Sequence, residues 1–175
     1  MWQMQQQLMA YAEQLFGPRS IRKTLYQPDY DEDGPFVRYT PSFDGAFADL
    51  SYNSKSSWPC AFYELAHETV HLLDPRGDSS PVPTASVLEE AIASSFAAHC
   101  QEIAGVTPFP HKGNYSLAIE LSQKLGRDLH EVGRDVRQKH GHFSNATAPQ
   151  LMEIAPMCPE EVAKNLTSDF AGRGY

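Results

Sequence analysis

The chain has no apolar run long enough to span a bilayer, so no membrane-embedded helix is expected. It has little cysteine: Cys60, Cys100 and Cys158 are odd in number and far apart. That excludes a disulfide scaffold and fits reduced thiols in a cytoplasmic protein. It has no excess of positive charge. With 14 basic and 22 acidic residues the formal net charge is -8. Non-specific binding to nucleic acid or to an anionic membrane surface is therefore not expected. The start, Met1-Trp2-Gln3-Met4-Gln5-Gln6-Gln7, has neither a basic region nor an apolar core, so it does not read as a secretory signal. Without such a signal, the Asn-x-Ser/Thr triplets at Asn114, Asn145 and Asn165 carry no expectation of glycosylation. There are no internal repeats. At 175 residues a single domain, 1-175, is expected, long enough for a real core.

What is present centres on Tyr63-Glu64-Leu65-Ala66-His67-Glu68-Thr69-Val70-His71-Leu72-Leu73-Asp74. On a helix, residues four apart lie one above the other on the same face. His67 and His71 can thus point their imidazoles at one Zn²⁺, which is the spacing of the zinc-peptidase signature. Glu68 sits beside the metal rather than on it, where it can take a proton from water. The context is helical. Ser57 offers a cap, Pro59 suits a first turn, no Gly or Pro interrupts residues 60 to 73, and Asp74-Pro75 ends the run. The segment is apolar on most sides, as a buried helix is. Two histidines matching by accident is the competing reading.

A catalytic zinc takes three protein ligands and leaves a fourth position open. The extended pattern His-Glu-x-x-His-x-x-Gly-x-x-His needs Gly at 74 and His at 77. The chain has Asp74 and Gly77, so that pattern is excluded. The third ligand is expected from a second helix within 83 to 97, after a Pro-, Ser- and Gly-rich connection that can reverse the chain. Glu89 and Glu90 compete for the role. Ser86-x-x-Glu89 reads as a capping box, unless Thr84 caps instead. Glu90 shares its face with Ala93, Ser94 and Ala97, small residues that permit close helix approach, and is favoured on that ground.

These residues resemble a gluzincin-type zinc metallopeptidase, in which a glutamate on the following helix completes the metal site. The small intracellular ImmA/IrrE-like peptidases are the nearest in layout. The matching residues are His67-Glu68-x-x-His71, Glu90-Ala91 and Phe96-Ala97, and the likeness covers roughly residues 46 to 100. Phe96-Ala97 stands further from the glutamate than in that family. Ala98-His99-Cys100-Gln101 occupies the place of its apolar run. The resemblance implies an α+β, zincin-like minimal metallopeptidase: a small N-terminal sheet, the metal helix, the glutamate helix and a helical C-terminal half. It also implies Zn²⁺ as cofactor, held by His67, His71 and Glu90, with Glu68 as general base and a protein or peptide as substrate. A zinc-binding regulatory or partner-binding module on the same fold is the alternative, although an intact Glu68 has no purpose there.

Elsewhere the pattern predicts a helix over 1 to 16 stopped by Gly17-Pro18, a weak strand from Ile21 to Tyr26, and a strand from Phe36 to Thr40. Asp29 to Gly34 reads as a solvated acidic turn; it lacks the full ligand spacing of a calcium loop. Ala46 to Tyr52 reads as a strand with Ala48, Leu50 and Tyr52 on one face. In metallopeptidases of the resembled kind such a strand pairs with extended substrate through a free edge. Asn53 to Pro59 reads as a loop. Cys60 is two turns, about 10 Å, from His67 and too far to be a ligand. Glu64, Asp74 and Asp49 are candidates to hold the second ring nitrogens of the histidines. Tyr115 is a candidate oxyanion donor. His99, His111 and His130 read as surface or core residues, and His140-Gly141-His142 as a turn. Helices are expected over 115 to 125, from Asp128-x-x-Glu131 to His140, from Thr147-Ala148-Pro149-Gln150, and from Pro159-Glu160-Glu161. The end, 171 to 175, is expected to fray.

Overall fold

A computed structural model describes residues 1–78, 81–110 and 113–170. Residues 79 and 80 of the connection between the two predicted metal-site helices, His111, and the end from 171 lie outside the described residues. Among the described residues the architecture is α+β, with seven α-helices and one small sheet. The described residues form two compact units.

The first unit comprises Met1–Gln14, Pro18–Pro83 and Phe96–Phe109. It contains α1 (Trp2–Phe16, to residue 14), β1 (Thr24–Leu25), β2 (Asp29–Asp31), β3 (Phe36–Tyr39), β4 (Gly45–Ser51) and α2 (Trp58–His71). It also contains the second half of α3 (Val87–Ile103). Gly17, with φ at 91°, ends α1 in the left-handed conformation that glycine tolerates.

β4 is the centre of the sheet. Ala46 is paired with both Leu25 and Tyr39, and Asp49 with both Asp29 and Phe36. A residue with two partners has one on each side. So β3 runs antiparallel along one edge of β4, while β1 and β2 follow one another, parallel, along the other. Two expectations are corrected. Asp29–Asp31, read as a turn, is a strand: Tyr30 pairs with Leu50, and only residues 32 to 34 turn. β4 is also paired on both sides, at residues 45–46 and 49–51 on one and at 46–49 on the other, so it is the central strand and not the free-edged one expected.

Alternation along β4 sets its two faces. Ala46, Ala48 and Leu50 are fully buried. α2 packs on this strand. On the opposite face the Arg38 guanidinium lies 4.0 Å from the centre of the Phe47 ring and pairs with buried Asp49. Tyr52, expected to continue the buried face, is exposed and opens a 3-10 turn over Tyr52–Ser56.

Every residue of α2 from Cys60 to Val70 is buried. Burying an aliphatic side chain such as Leu65 contributes about 1.5–3 kcal/mol. Ser57 is the N-cap with extended backbone, although its hydroxyl makes no capping bond. The helix ends at His71, two residues before the predicted stop. Leu72 and Leu73 form the closing turn and are fully buried.

The second unit comprises Leu15–Gly17, Thr84–Ser95 and Pro110–Tyr175. It holds the first half of α3, then α4 (Asn114–Ser122), α5 (Leu129–His140), α6 (Ala148–Ile154) and α7 (Glu160–Leu166). The predicted starts are in place. Asp128 accepts from the Glu131 N–H at 3.0 Å, and Thr147 with Gln150 forms a capping box. α4 begins at Asn114, one residue before the expected start, with Gly113 as its N-cap. Phe16 and Phe143 meet edge to face, 5.4 Å between ring centres, in its core. No helix among the described residues is long and apolar enough to cross a membrane.

Candidate metal centre

The local sequence puts His67 and His71 on one face of α2, and the helix is buried, so their imidazoles face protein rather than bulk water. His67 is 4% exposed and His71 partly buried. The two Nε2 atoms are 3.2 Å apart and the rings are inclined at 60°. With metal–nitrogen bonds of about 2.0–2.1 Å, two tetrahedral nitrogen ligands sit about 3.3 Å from each other. The observed spacing is compatible with two nitrogens on one ion, and it is also hydrogen-bond distance between the two rings.

Glu90 lies in the first turn of α3 and is buried. One ligand atom from each of His67, His71 and Glu90 lies within 4.8 Å of the others. Among the described residues this is the one group of three His, Cys, Asp or Glu side chains that can hold a metal ion. Two imidazoles and a carboxylate offer three strong donors, a set that suits a divalent transition-metal ion.

Glu89 is turned to different work. Its carboxylate accepts a short hydrogen bond from the Ser144 hydroxyl and lies 3.7 Å from His142 Nδ1. Ser86 caps α3, accepting from the Glu89 N–H at 3.2 Å. The Ser86 N–H donates to Ser144 Oγ at 2.8 Å, and the Val87 N–H to the Ser168 carbonyl at 3.0 Å. The start of α3, and with it the register of Glu90, is thereby tied to residues 142–144 and 168. The half of the Ser86-x-x-Glu89 box made by the serine is present. The glutamate bonds Ser144, a partner fifty-five positions away that no local pattern signals.

Glu68, beside His67 in sequence, is 3% exposed. One turn earlier, Glu64 accepts from the Ser51 N–H at 2.9 Å, from the Ser51 hydroxyl at 2.6 Å and from Cys60 Sγ at 3.3 Å. These bonds fix the end of β4 to the start of α2. Burial first, and then the Glu64 carboxylate beside it, push the Cys60 thiol up to about 12. Cys60 is thus a protonated packing residue and hydrogen-bond donor.

Of the three residues considered for the histidines' second nitrogens, Glu64 bonds Ser51 and Cys60. Asp74 pairs with Arg22 at 3.1 Å, and Asp49 pairs with Arg38. His99 Nε2 meets the Tyr11 hydroxyl at 2.8 Å, and His130 meets Ser95 Oγ at 3.2 Å with its ring edge-on to Phe16. Both are half-buried, and neither belongs to the metal group. His142, read only as part of a turn, is buried and accepts from the Ser144 N–H at 3.0 Å. Tyr115 packs on Phe170, ring centres 5.0 Å apart.

No protein-family model, no curated protein and no solved structure matches the chain.

Proposed function

We propose that this chain is a zinc-dependent metallopeptidase that hydrolyses peptide bonds in a narrow set of protein substrates. The observation that carries the reading is the convergence of His67, His71 and Glu90, with Glu68 next to the first of them on a buried helix. His67, His71 and Glu90 would hold the ion. Bound there, zinc supplies Lewis acidity, bringing the pKa of water towards about 7 and polarising a carbonyl. Glu68 takes the proton from the attacking water and hands it to the leaving amine, the two halves of one general acid–base cycle. The ties from Ser86 and Ser144 fix the register of Glu90 at the start of α3. The three cysteines, none of them in a disulfide, fit a reducing cytoplasmic compartment.

The test is hydrolysis of a denatured protein such as casein, and of a peptide library, by zinc-loaded chain. Glu68→Gln is expected to keep its metal and to lose activity by at least about a hundredfold, the usual scale of a general base. Undiminished activity in Glu68→Gln, or no hydrolysis of any substrate by zinc-loaded wild type, would remove the reading.

A further inference from the structure

Gln101, in the second half of α3, is fully buried. Its amide serves a loop rather than its own helix. Nε2 donates to the Thr107 carbonyl at 3.2 Å and to the Pro59 carbonyl, in the first turn of α2, at 2.9 Å. Oε1 accepts from the Phe109 N–H at 2.9 Å. One buried side chain thus ties residues 107 to 109 to the start of the helix that carries His67 and His71. In sequence Pro108 and Pro110 flank Phe109 and narrow its backbone freedom further. Gln101, Pro59, Tyr63, His67 and Phe109 all belong to the first unit.

What the loop holds there is an aromatic ring. Phe109 lies on Tyr63, ring centres 5.5 Å apart and planes inclined at 39°. Tyr63 is buried, and its ring centre is 6.1 Å from that of His67, four residues on and on the same face of α2. His67 is one of the three residues that converge for a metal. Two ring-to-ring steps therefore lead from the metal group to Phe109, which is only half-buried. Covering Tyr63 asks for no more than an apolar side chain. Anchoring by a buried amide fixes where the ring stands, and loops held on a rigid scaffold are where binding residues concentrate.

We infer that Phe109 is a specificity-determining residue, the wall of a subsite that takes an aromatic side chain of the substrate. The inference rests on the metallopeptidase reading and deepens it. An extended peptide advances about 3.3 Å per residue. With its scissile carbonyl at the metal, a residue about two positions from that bond comes level with Phe109. A ring on that residue can pack against the Phe109 ring in the offset or edge-on geometry that aromatic pairs prefer. A glycine leaves the wall uncovered, and an aspartate places a charge against an apolar ring. The substrates so selected are peptides with Phe, Tyr or Trp near, but not at, the bond that is cut.

The probes are peptide hydroxamates, which chelate zinc and need no turnover to report. Two triglycine series are made, one with the hydroxamate at the C-terminal end and one with it at the N-terminal end through a malonyl group. In each, one glycine at a time is replaced by Phe, Leu or Asp. Binding to zinc-loaded full chain is measured by calorimetry for wild type, Phe109→Ala and Phe109→Leu. At one position of one series Phe should bind about fivefold tighter than Gly, the scale of one aromatic pair. That ratio should fall to about one in Phe109→Ala. Phe109→Leu, which keeps apolar cover on Tyr63, should lose the preference for Phe over Leu, and it makes the comparison if the alanine variant does not fold. No preference for Phe at any position, a preference that survives both substitutions, or no binding of any hydroxamate would overturn the inference. Casein and peptide hydrolysis by the same preparations separates the two claims. A Phe109-dependent preference in a chain that cleaves nothing keeps the subsite and removes the peptidase. Cleavage without that preference does the reverse.

Discussion

Truncating Glu64 to alanine should loosen the anchor of the metal-site helix. The carboxylate accepts two hydrogen bonds from Ser51 and one from Cys60, all in buried surroundings. A hydrogen bond to a carboxylate contributes about 1.5–3 kcal/mol, and truncation also strands the Ser51 N–H and hydroxyl without acceptors. The thiol adds little. The sum is about 3–5 kcal/mol, comparable to removing one member of a buried ion pair. At about 2–4 °C per kcal/mol for a chain of this size, the midpoint of thermal unfolding should fall by roughly 6–20 °C. Glu64→Gln keeps one acceptor oxygen for the Ser51 N–H and should cost only about 1–2 kcal/mol. The assay is urea unfolding followed by far-UV circular dichroism, with EDTA present so that bound metal adds no stability of its own. A Glu64→Ala loss under about 0.5 kcal/mol, the range of an ordinary surface change, would refute the anchoring role.

A methyl group at Gly34 would stand 2.9 Å from the backbone carbon and oxygen of Leu50, atoms that cannot swing aside. Gly34→Ala should therefore destabilise by about 1–3 kcal/mol in the same urea assay. Burial raises the thiols of Cys60 and Cys100 to about 12. A raised folded-state pKa stabilises below the unfolded value and is lost as pH climbs through the folded one. Stability should fall between the ordinary thiol range and pH about 12, and Cys60→Ala with Cys100→Ala should flatten that fall. In native protein at pH 8 all three thiols should resist iodoacetamide, and all should react in denaturant.

Much of the framework is written in local pattern. Asp128 with Glu131, Thr147 with Gln150, and Gly141 at a φ of 80° are short-range signals, and each marks a helix boundary where it was read. The alternation of Ala48 and Leu50 likewise announced β4 and a buried face, which Tyr52, read as its continuation, does not share. What local pattern could not carry was the company each element keeps. Asp29-Tyr30-Asp31 has the composition of a turn and becomes a strand only because β4 offers it a parallel edge. The same pairing takes from β4 the free edge that an isolated strand would have. The choice between Glu89 and Glu90 is of this kind too. Adjacent residues on a helix point about 100° apart, so one meets Ser144 and the other the histidines. A capping motif and a row of alanines give only a leaning between them. Ser144 and Ser51, which hold the two glutamates at positions 89 and 64, were missed for the same reason. A lone serine in a loop or at a strand end has no sequence signature for a partner far along the chain.

The most direct measurement is the zinc content of purified chain by elemental analysis, made on wild type, Glu89→Ala and Glu90→Ala, each checked for folding by circular dichroism. The account predicts about one zinc per chain in wild type and in Glu89→Ala, and loss of that zinc in Glu90→Ala. Wild type that takes up no zinc even after reconstitution, or zinc that survives Glu90→Ala and disappears in Glu89→Ala, would contradict it.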